Sequence, residues 1–352
     1  MGIKALLPFL EKVTHSVHMS QFSGMTLAVD GFTWMYKAAY SCSEELYHNP
    51  ATPKILNFCV KRIKSLQALG IKLFFVFDGR PLPAKYETNE GRRQIKENAS
   101  NHIQQALKSR SPGDITNYYN QAISIKFETV QTVLNYLRSQ QIPFVVAPYE
   151  ADAQLTFLVN NGIAQGVLTE DSDMIAHFSP ITLLKLNDQM YADCIRIDEV
   201  LQELQMSRDE FLTFCILCGC DYTPHIRMVG PKTAYELVKQ YQTIGQILRV
   251  LRSSPRYGVP SEYEKYFRRA FITFKHQMVY NMFTKTLTPL EPINEFPEYI
   301  GPMIPNDVLQ KHVMGLIDPN HEGINENQQG TIIGQTMLQE SGNGVYLSPR
   351  LT

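Results

Sequence analysis

The chain has 352 residues, 44% of them hydrophobic and 11% aromatic, with a formal net charge of −1. That length can bury a large core, as one big α/β body or two smaller ones, and no run of about 18 apolar residues marks a membrane span. Six cysteines lie mostly inside apolar text, which suits a reducing compartment better than a disulfide framework.

The N-terminal text, MGIKALLPFL, lacks a signal-peptide cleavage pattern. Leu6 stands where myristoylation of Gly2 wants Ser or Thr. Four apolar runs follow in order: MTLAVD (25–30), KLFFVFDG (72–79), IPFVVAPYEAD (142–152) and GVLTEDSD (166–173). Each is rich in Val, Ile, Leu or Phe without alternation, as in parallel strands buried on both faces. Helix-length segments at 34–47, 54–69, 120–140 and 151–161 separate them. Strand and helix alternate, which predicts an α/β fold with a doubly wound, mostly parallel sheet.

Residues 80–118 break that rhythm with polar, basic, helix-forming text, and a long insertion after a strand end predicts a helical arch or lid. From 209 to 285 the text reads as helical, with a turn at Val229-Gly230-Pro231 leading into a helix. Residues 319–352 are polar and rich in Gly, Asn and Gln, and read as a disordered tail. The expected division is 1–99 (arch at about 80–118), 120–208, 209–290, a wrapping segment at 291–318, and the tail.

Charge is unevenly spread. Residues 54–110 hold 12 Lys/Arg against 4 Asp/Glu, and residues 222–285 hold 11 against 3. Between them, residues 150–221 hold 3 against 13. An acidic centre can hold cations, and basic flanks can hold a polyanion.

Ligands of a parallel sheet bind beyond the carboxyl ends of its strands. All four predicted strands carry acids there: Asp30, Asp78, Glu150 with Asp152, and Asp171 with Asp173. Asp221, after the apolar run FLTFCILCGC, is placed to close the cluster, and Glu170 is expected beside it or at a helix start. Asp is also common at helix N-caps and turns, and for any one of these residues alone that reading is the stronger. Four coincident strand ends favour a metal site. Seven crowded carboxylates need cations to offset their repulsion. An oxygen-only donor set without His suits Mg²⁺ or Mn²⁺. Two such ions about 4 Å apart form a phosphodiester-cleaving arrangement. Cys215 and Cys218 form a lone C-x-x-C with no partner pair at zinc-finger distance, and are assigned to the core.

In combination, MGIKALLPFL, AVDGFTWMYKAA, FVFDGRPLPAK, VAPYEADAQL, LTEDSDMIAH and GCDYTPHIRMVGPKTA resemble the structure-specific 5′ nucleases. That family includes flap endonuclease, exonuclease 1 and the xeroderma repair endonuclease. The resemblance runs from Met1 to about residue 290, and the wording APYEADAQL, TEDSD and GCDY is similar to the exonuclease 1 branch.

The resemblance implies a PIN-like 5′ nuclease fold and a 5′→3′ exonuclease on duplex DNA that also cuts 5′ flaps with two Mg²⁺. It implies work in mismatch repair and recombination in the nucleus, as a monomer. The seven acids would be the metal ligands. Lys85 and Arg92, seven apart on the first arch helix, match the pair that contacts the scissile phosphate, with Arg93 and Lys96 nearby. Phe32 and Tyr36 lie on the helix that meets the nicked end, where Phe32 could stack on a base. RMVGPKTAYELV resembles a helix–two-turn–helix, in which Gly230 and Lys232 approach the DNA backbone. There the carbonyls of Cys218, His225 and Val229 would hold K⁺. The family usually has glycine on both sides of the middle apolar residue of this turn, whereas here the first is Met228.

Mismatch-repair partners bind a long C-terminal region in exonuclease 1 proteins, and this sequence stops at Thr352. The alternatives within the class are a flap endonuclease, a junction resolvase or an RNA 5′ nuclease. The alternative from another class is a catalytically silent DNA-binding scaffold.

Overall fold

The computed structural model describes residues 2–109 and 115–320. The expected tail, apart from its first two residues, lies outside them. The core is a seven-stranded sheet: β1 (Thr14–His18), β2 (Thr26–Asp30), β3 (Lys72–Phe77), β4 (Phe144–Val146), β5 (Gly166–Leu168), β6 (Ile181–Leu184) and β7 (Tyr191–Arg196). Its order is β1-β7-β6-β5-β2-β3-β4. The five strands from β6 to β4 pair in parallel, and β7 pairs antiparallel with both β6 and β1.

Alternate residues of the central strands feed separate cores on the two faces. Leu27, Val29, Phe75 and Phe77 face one, and Ala28, Phe74 and Val76 face the other. A strand buried on both faces cannot show polar alternation, which is why these runs read as continuous apolar text.

The predicted helices form with shifted ends. The helix expected at 34–47 starts at Gly31, where Asp30 caps it, and breaks at Cys42 into Gly31–Ser41 and Ser43–His48. The one expected at 120–140 is two helices, Thr116–Ala122 and Phe127–Ser139, parted by Ile123–Lys126. The arch carries the 23-residue helix Tyr86–Lys108. The text from 209 to 285 is helical in Arg208–Cys218, Pro231–Gln240, Ile244–Arg252 and Tyr263–His276, but it ends in a β-hairpin rather than a helix: β8 (Met278–Asn281) pairs antiparallel with β9 (Thr286–Pro289).

Residues 298–317 run back across the sheet edge. The Tyr149 hydroxyl donates to the Pro302 carbonyl. Gln131 Nε2 donates to the Gly315 carbonyl at 2.6 Å, and a buried His312 on the helix Asn306–Val313 lies 2.7 Å from the Ala147 carbonyl. No helix among the described residues is long and apolar enough to cross a membrane.

Candidate active site

Strands β5, β2, β3 and β4 are consecutive in the sheet. The order reverses between β5 and β2, the place where doubly wound sheets open a crevice. Asp30 ends β2, and Asp78 follows β3 by one residue. Glu150 and Asp152 flank the start of the helix Ala151–Asn160 after β4, Asp171 lies in the turn after β5, and Asp173 opens the short helix Asp173–Ala176 that follows. A cavity of about 540 Å³ opens over this edge, lined among others by Asp30, Asp78, Glu150, Asp152, Asp171 and Asp221.

Several of these acids also serve as caps. Asp30 Oδ1 accepts from the Thr33 amide at 3.1 Å, and its Oδ2 accepts from the Thr169 hydroxyl at 2.9 Å. Asp78 Oδ1 accepts from the Ala151 amide at 2.7 Å, and Asp171 Oδ1 from the Asp173 amide at 3.0 Å. A carboxylate oxygen carries two lone pairs, so one amide bond leaves room for another ligand. The cap and metal readings are therefore compatible.

Electrostatics separates structural caps from a cation site. Burial, reinforced by Asp78, pushes the Asp30 carboxyl up to about 7. Burial also raises Asp78 and Asp171. It raises Asp152 and Asp173 well above the carboxylate range, with Asp171 the main like charge in both cases. Oxygens of Asp152, Asp171 and Asp173 lie within 4.8 Å of one another. Asp173 Oδ1 is buried with no hydrogen-bond partner among the described residues. Crowded carboxylates with an orphaned oxygen are what a hard divalent cation fits.

On the other side of the crevice stands the arch. Lys85 belongs to the 3₁₀ turn Pro83–Lys85, one residue ahead of the helix that carries Arg92, rather than to the helix itself. Its Nζ lies 2.5 Å from Glu150 Oε1 and 2.9 Å from Asp221 Oδ2. Arg92 reaches the same Asp221 oxygen at 2.8 Å. Burial works against the Lys85 charge, but Glu150 and Asp221 lift its pKa well above the ordinary value. Burial also opposes the Asp221 charge, and Lys85 and Arg92 overcome it to hold that carboxyl below the usual range. Asp221 is thus held low, and it faces the arch cations. Glu170 turns aside to Lys37, at 2.5 Å.

Phe32, Tyr36 and Lys96 also line the crevice. Phe32 is half-buried, edge-on to Phe77 at 6.1 Å, and Lys96 Nζ lies 5.9 Å from the Tyr36 ring. Arg93 does not line it. That guanidinium is exposed and paired with Glu90 and Glu97, three residues before it and four after. Gly230 and Lys232 belong to a separate surface at the start of the helix Pro231–Gln240, with Lys232 exposed. The loop leading there folds over so that the His225 ring sits beside Gly219. Cys218 and Val229 are fully buried in that region. Cys215 is also buried there, as the core assignment expects.

Met228 sits at φ 63° with its side chain 63% exposed. The left-handed region costs a non-glycine residue about 1–2 kcal/mol. Met228→Gly is expected to stabilise the protein by about 1 kcal/mol after the added unfolded-state entropy is deducted. A thermal melt would show this as a rise of about 2–4 °C.

Sequence reading missed three supports. Thr169 holds Asp30 and also accepts from the Asp171 amide at 3.0 Å. Tyr222 donates to Glu150 Oε2 at 2.6 Å. Gly2, at φ 98°, packs so closely that a Cβ there would overlap Asp171 Oδ1 and Ser172.

Residues 1–99 match the XPG N-terminal domain and residues 141–221 match the XPG I-region. Over 302 residues the chain is 33% identical to DNA damage-inducible protein DIN7 of Saccharomyces cerevisiae, an alignment covering 83% of this chain and 70% of that one. The chain belongs to the XPG nuclease family. Both matched XPG regions contribute to the crevice, the first through Asp30, Asp78 and the arch cations, the second through Glu150, Asp152, Asp171 and Asp221, with Asp173 buried beside Asp152 and Asp171 rather than lining it. Exonuclease 1 of Arabidopsis thaliana is 32% identical over 329 residues, covering 91% of this chain and 44% of that protein. The chain spans about half the length of such curated relatives. Among solved structures, the catalytic core of Rad2 in complex with DNA substrate aligns over 96% of this chain and 94% of its own, with TM-score 0.58 and 17% identity. That likeness establishes the XPG-family fold, with its mostly parallel sheet.

Proposed function

We propose that this chain is a Mg²⁺-dependent 5′→3′ exonuclease on duplex DNA that also cuts 5′ flaps, of the exonuclease 1 type. The observation that carries the reading is the convergence of carboxylates from four adjacent strand ends opposite Lys85 and Arg92 in one crevice. Asp30, Asp78, Glu150, Asp152, Asp171, Asp173 and Asp221 would hold two divalent cations, Mg²⁺ or Mn²⁺, whose chemistry is charge neutralisation and activation of water. Lys85 and Arg92 would leave Glu150 and Asp221 for the scissile phosphate and stabilise the charge that develops there. Phe32 and Tyr36 would meet the base at the cut end, with Lys96 on its phosphates.

Duplex binding is assigned to the two basic regions. Amides at Gly230 and the charge of Lys232 would take backbone phosphates, and a K⁺ held by the carbonyls of Cys218, His225 and Val229 would bridge protein and DNA. Relatives carry the name exonuclease 1, and on that likeness the proposed setting is a monomer in nuclear mismatch repair and recombination.

The test is a 3′-labelled duplex with a recessed 5′ end, incubated with Mg²⁺ and with EDTA. A Mg²⁺-dependent ladder shortening from the 5′ end is expected. Cutting confined to a flapped substrate would reassign the chain as a flap endonuclease, and no cutting of either would leave a binding protein. Duplex affinity, measured without divalent metal, should fall about a hundredfold between about 50 and 200 mM salt if four phosphates are contacted. An affinity indifferent to salt would remove the basic-region part of the reading.

A further inference from the structure

The two oxygens of Glu150 have different partners. Oε1 receives Lys85 of the arch at 2.5 Å, and Oε2 receives the Tyr222 hydroxyl at 2.6 Å. Tyr222 is buried, and two contacts to the helix Tyr263–His276 fix it. Its ring meets Phe274 edge-on at 5.0 Å, and its carbonyl accepts from Arg269 Nη2 at 3.1 Å. The hydroxyl is therefore held through both ring and main chain by an element that contributes no carboxylate to the crevice.

We propose that Tyr222 is a positioning residue for the reaction: its hydroxyl pins Glu150 Oε2 and leaves Oε1 as the oxygen open to a cation once Lys85 moves to the phosphate. This rests on the reading of Glu150 as a metal ligand. A free glutamate side chain carries about 1.5–2 kcal/mol of rotamer entropy that ordering must overcome. A hydroxyl already bonded to one oxygen removes that freedom before the metal arrives, and partners of this kind set both ligand orientation and affinity. The bland alternative is that a buried tyrosine hydroxyl needs an acceptor and Glu150 supplies one. That alternative predicts a loss of stability on removing the hydroxyl, with metal binding unmoved.

The experiment follows free Mn²⁺ by electron paramagnetic resonance as the ion is added to the DNA-free chain, comparing the parent, Tyr222→Phe and Glu150→Gln. Tyr222→Phe keeps the ring against Phe274 and removes only the hydroxyl. It is expected to weaken Mn²⁺ binding roughly tenfold. The Mg²⁺ concentration for half-maximal cleavage should rise by a similar factor, and duplex affinity in EDTA should stay at the parent value. A parental Mn²⁺ isotherm for Tyr222→Phe, with only a lowered melting temperature, would overturn the proposal. No Mn²⁺ binding by the parent, or a parental isotherm for Glu150→Gln, would instead overturn the metal-ligand reading beneath it and the proposal with it. If Tyr222→Phe does not fold, Arg269→Gln releases the Tyr222 carbonyl in the same experiment. Weakened binding would then support the proposal and a parental isotherm would overturn it.

Discussion

Asp173→Asn is expected to cut DNA roughly 10³-fold more slowly or worse, and yet to melt a few degrees higher than the parent in EDTA. The first effect follows from the proposed role, because loss of a ligand that organises the cation forfeits several kcal/mol of transition-state stabilisation, at about 1.4 kcal/mol per factor of ten. The second follows from the geometry alone. Asp173 is buried, one of its oxygens has no partner among the described residues, and Asp171 and Asp221 face it. Replacing an uncompensated buried carboxylate by a neutral amide removes a standing cost. Single-turnover cleavage and a thermal melt in EDTA check the two halves separately.

The same crowding gives the metal-free protein a pH dependence of definite sign. Asp30 has its carboxyl raised to about 7, against 3.8 for an ordinary aspartate. The folded state therefore binds the extra proton between those values. The stability this group contributes is complete below about pH 4 and is lost as pH rises toward 7. In EDTA the melting temperature should fall across that window. With saturating Mg²⁺ the fall should shrink or reverse, because metal competes with protons for the same oxygens.

Lys85→Ala should also lower the cleavage rate, by about 10²–10³-fold, but with the opposite effect on metal-free stability. Lys85 is mostly buried between Glu150 and Asp221, with its side chain 16% exposed. Removing one partner of a buried pair costs about 3–5 kcal/mol in the general case, and here it takes from Glu150 its only ion pair among the described residues and leaves Asp221 to Arg92. The melting temperature in EDTA should drop by several degrees, and Mg²⁺ should recover most of that loss. A variant that loses rate without losing metal-free stability would argue that the Lys85 contacts to Glu150 and Asp221 contribute little. The two substitutions thus separate the crevice into a carboxylate that strains the empty site and a cation that relieves it.

How much of this was legible in the sequence depended on whether a residue carried charge or merely supported it. The four central strands stood out because each is a short apolar run that stops at an acid, and their ends gave the convergence directly. The antiparallel edge was missed because THSVH and YADCIR are half-exposed and carry polar residues on both faces, leaving no clean period. The hairpin at Met278–Pro289 was missed because its strands have only four residues each and follow a 14-residue helix. Lys85 and Arg92 were found through a motif, but their contacts with Glu150 and Asp221 were not, since a spacing of seven does not say which acids face the pair. Thr169 and Tyr222 give no signal of their own in a single sequence. A hydroxyl beside an acidic motif is ordinary text until the fold brings it to a particular oxygen. Met228 was legible as a departure from the family's glycine, and its left-handed backbone shows what that glycine would have supplied.

The return of residues 298–317 over the sheet edge bears on how the chain can be divided. The two matched regions end at residue 221, yet the turn after β3 is closed from outside them. A Cβ at Gly79 would overlap both the Ala147 carbonyl and the His312 ring, so backbone, glycine and histidine share one tight seat beside Asp78. Tyr149, next to Glu150, is tied to Pro302 in the same way. The recognisable halves of this chain are therefore not modules that can be lifted out. Trimming at residue 297, or grafting the matched regions onto another body, would leave the acid-bearing turns without their outer wall.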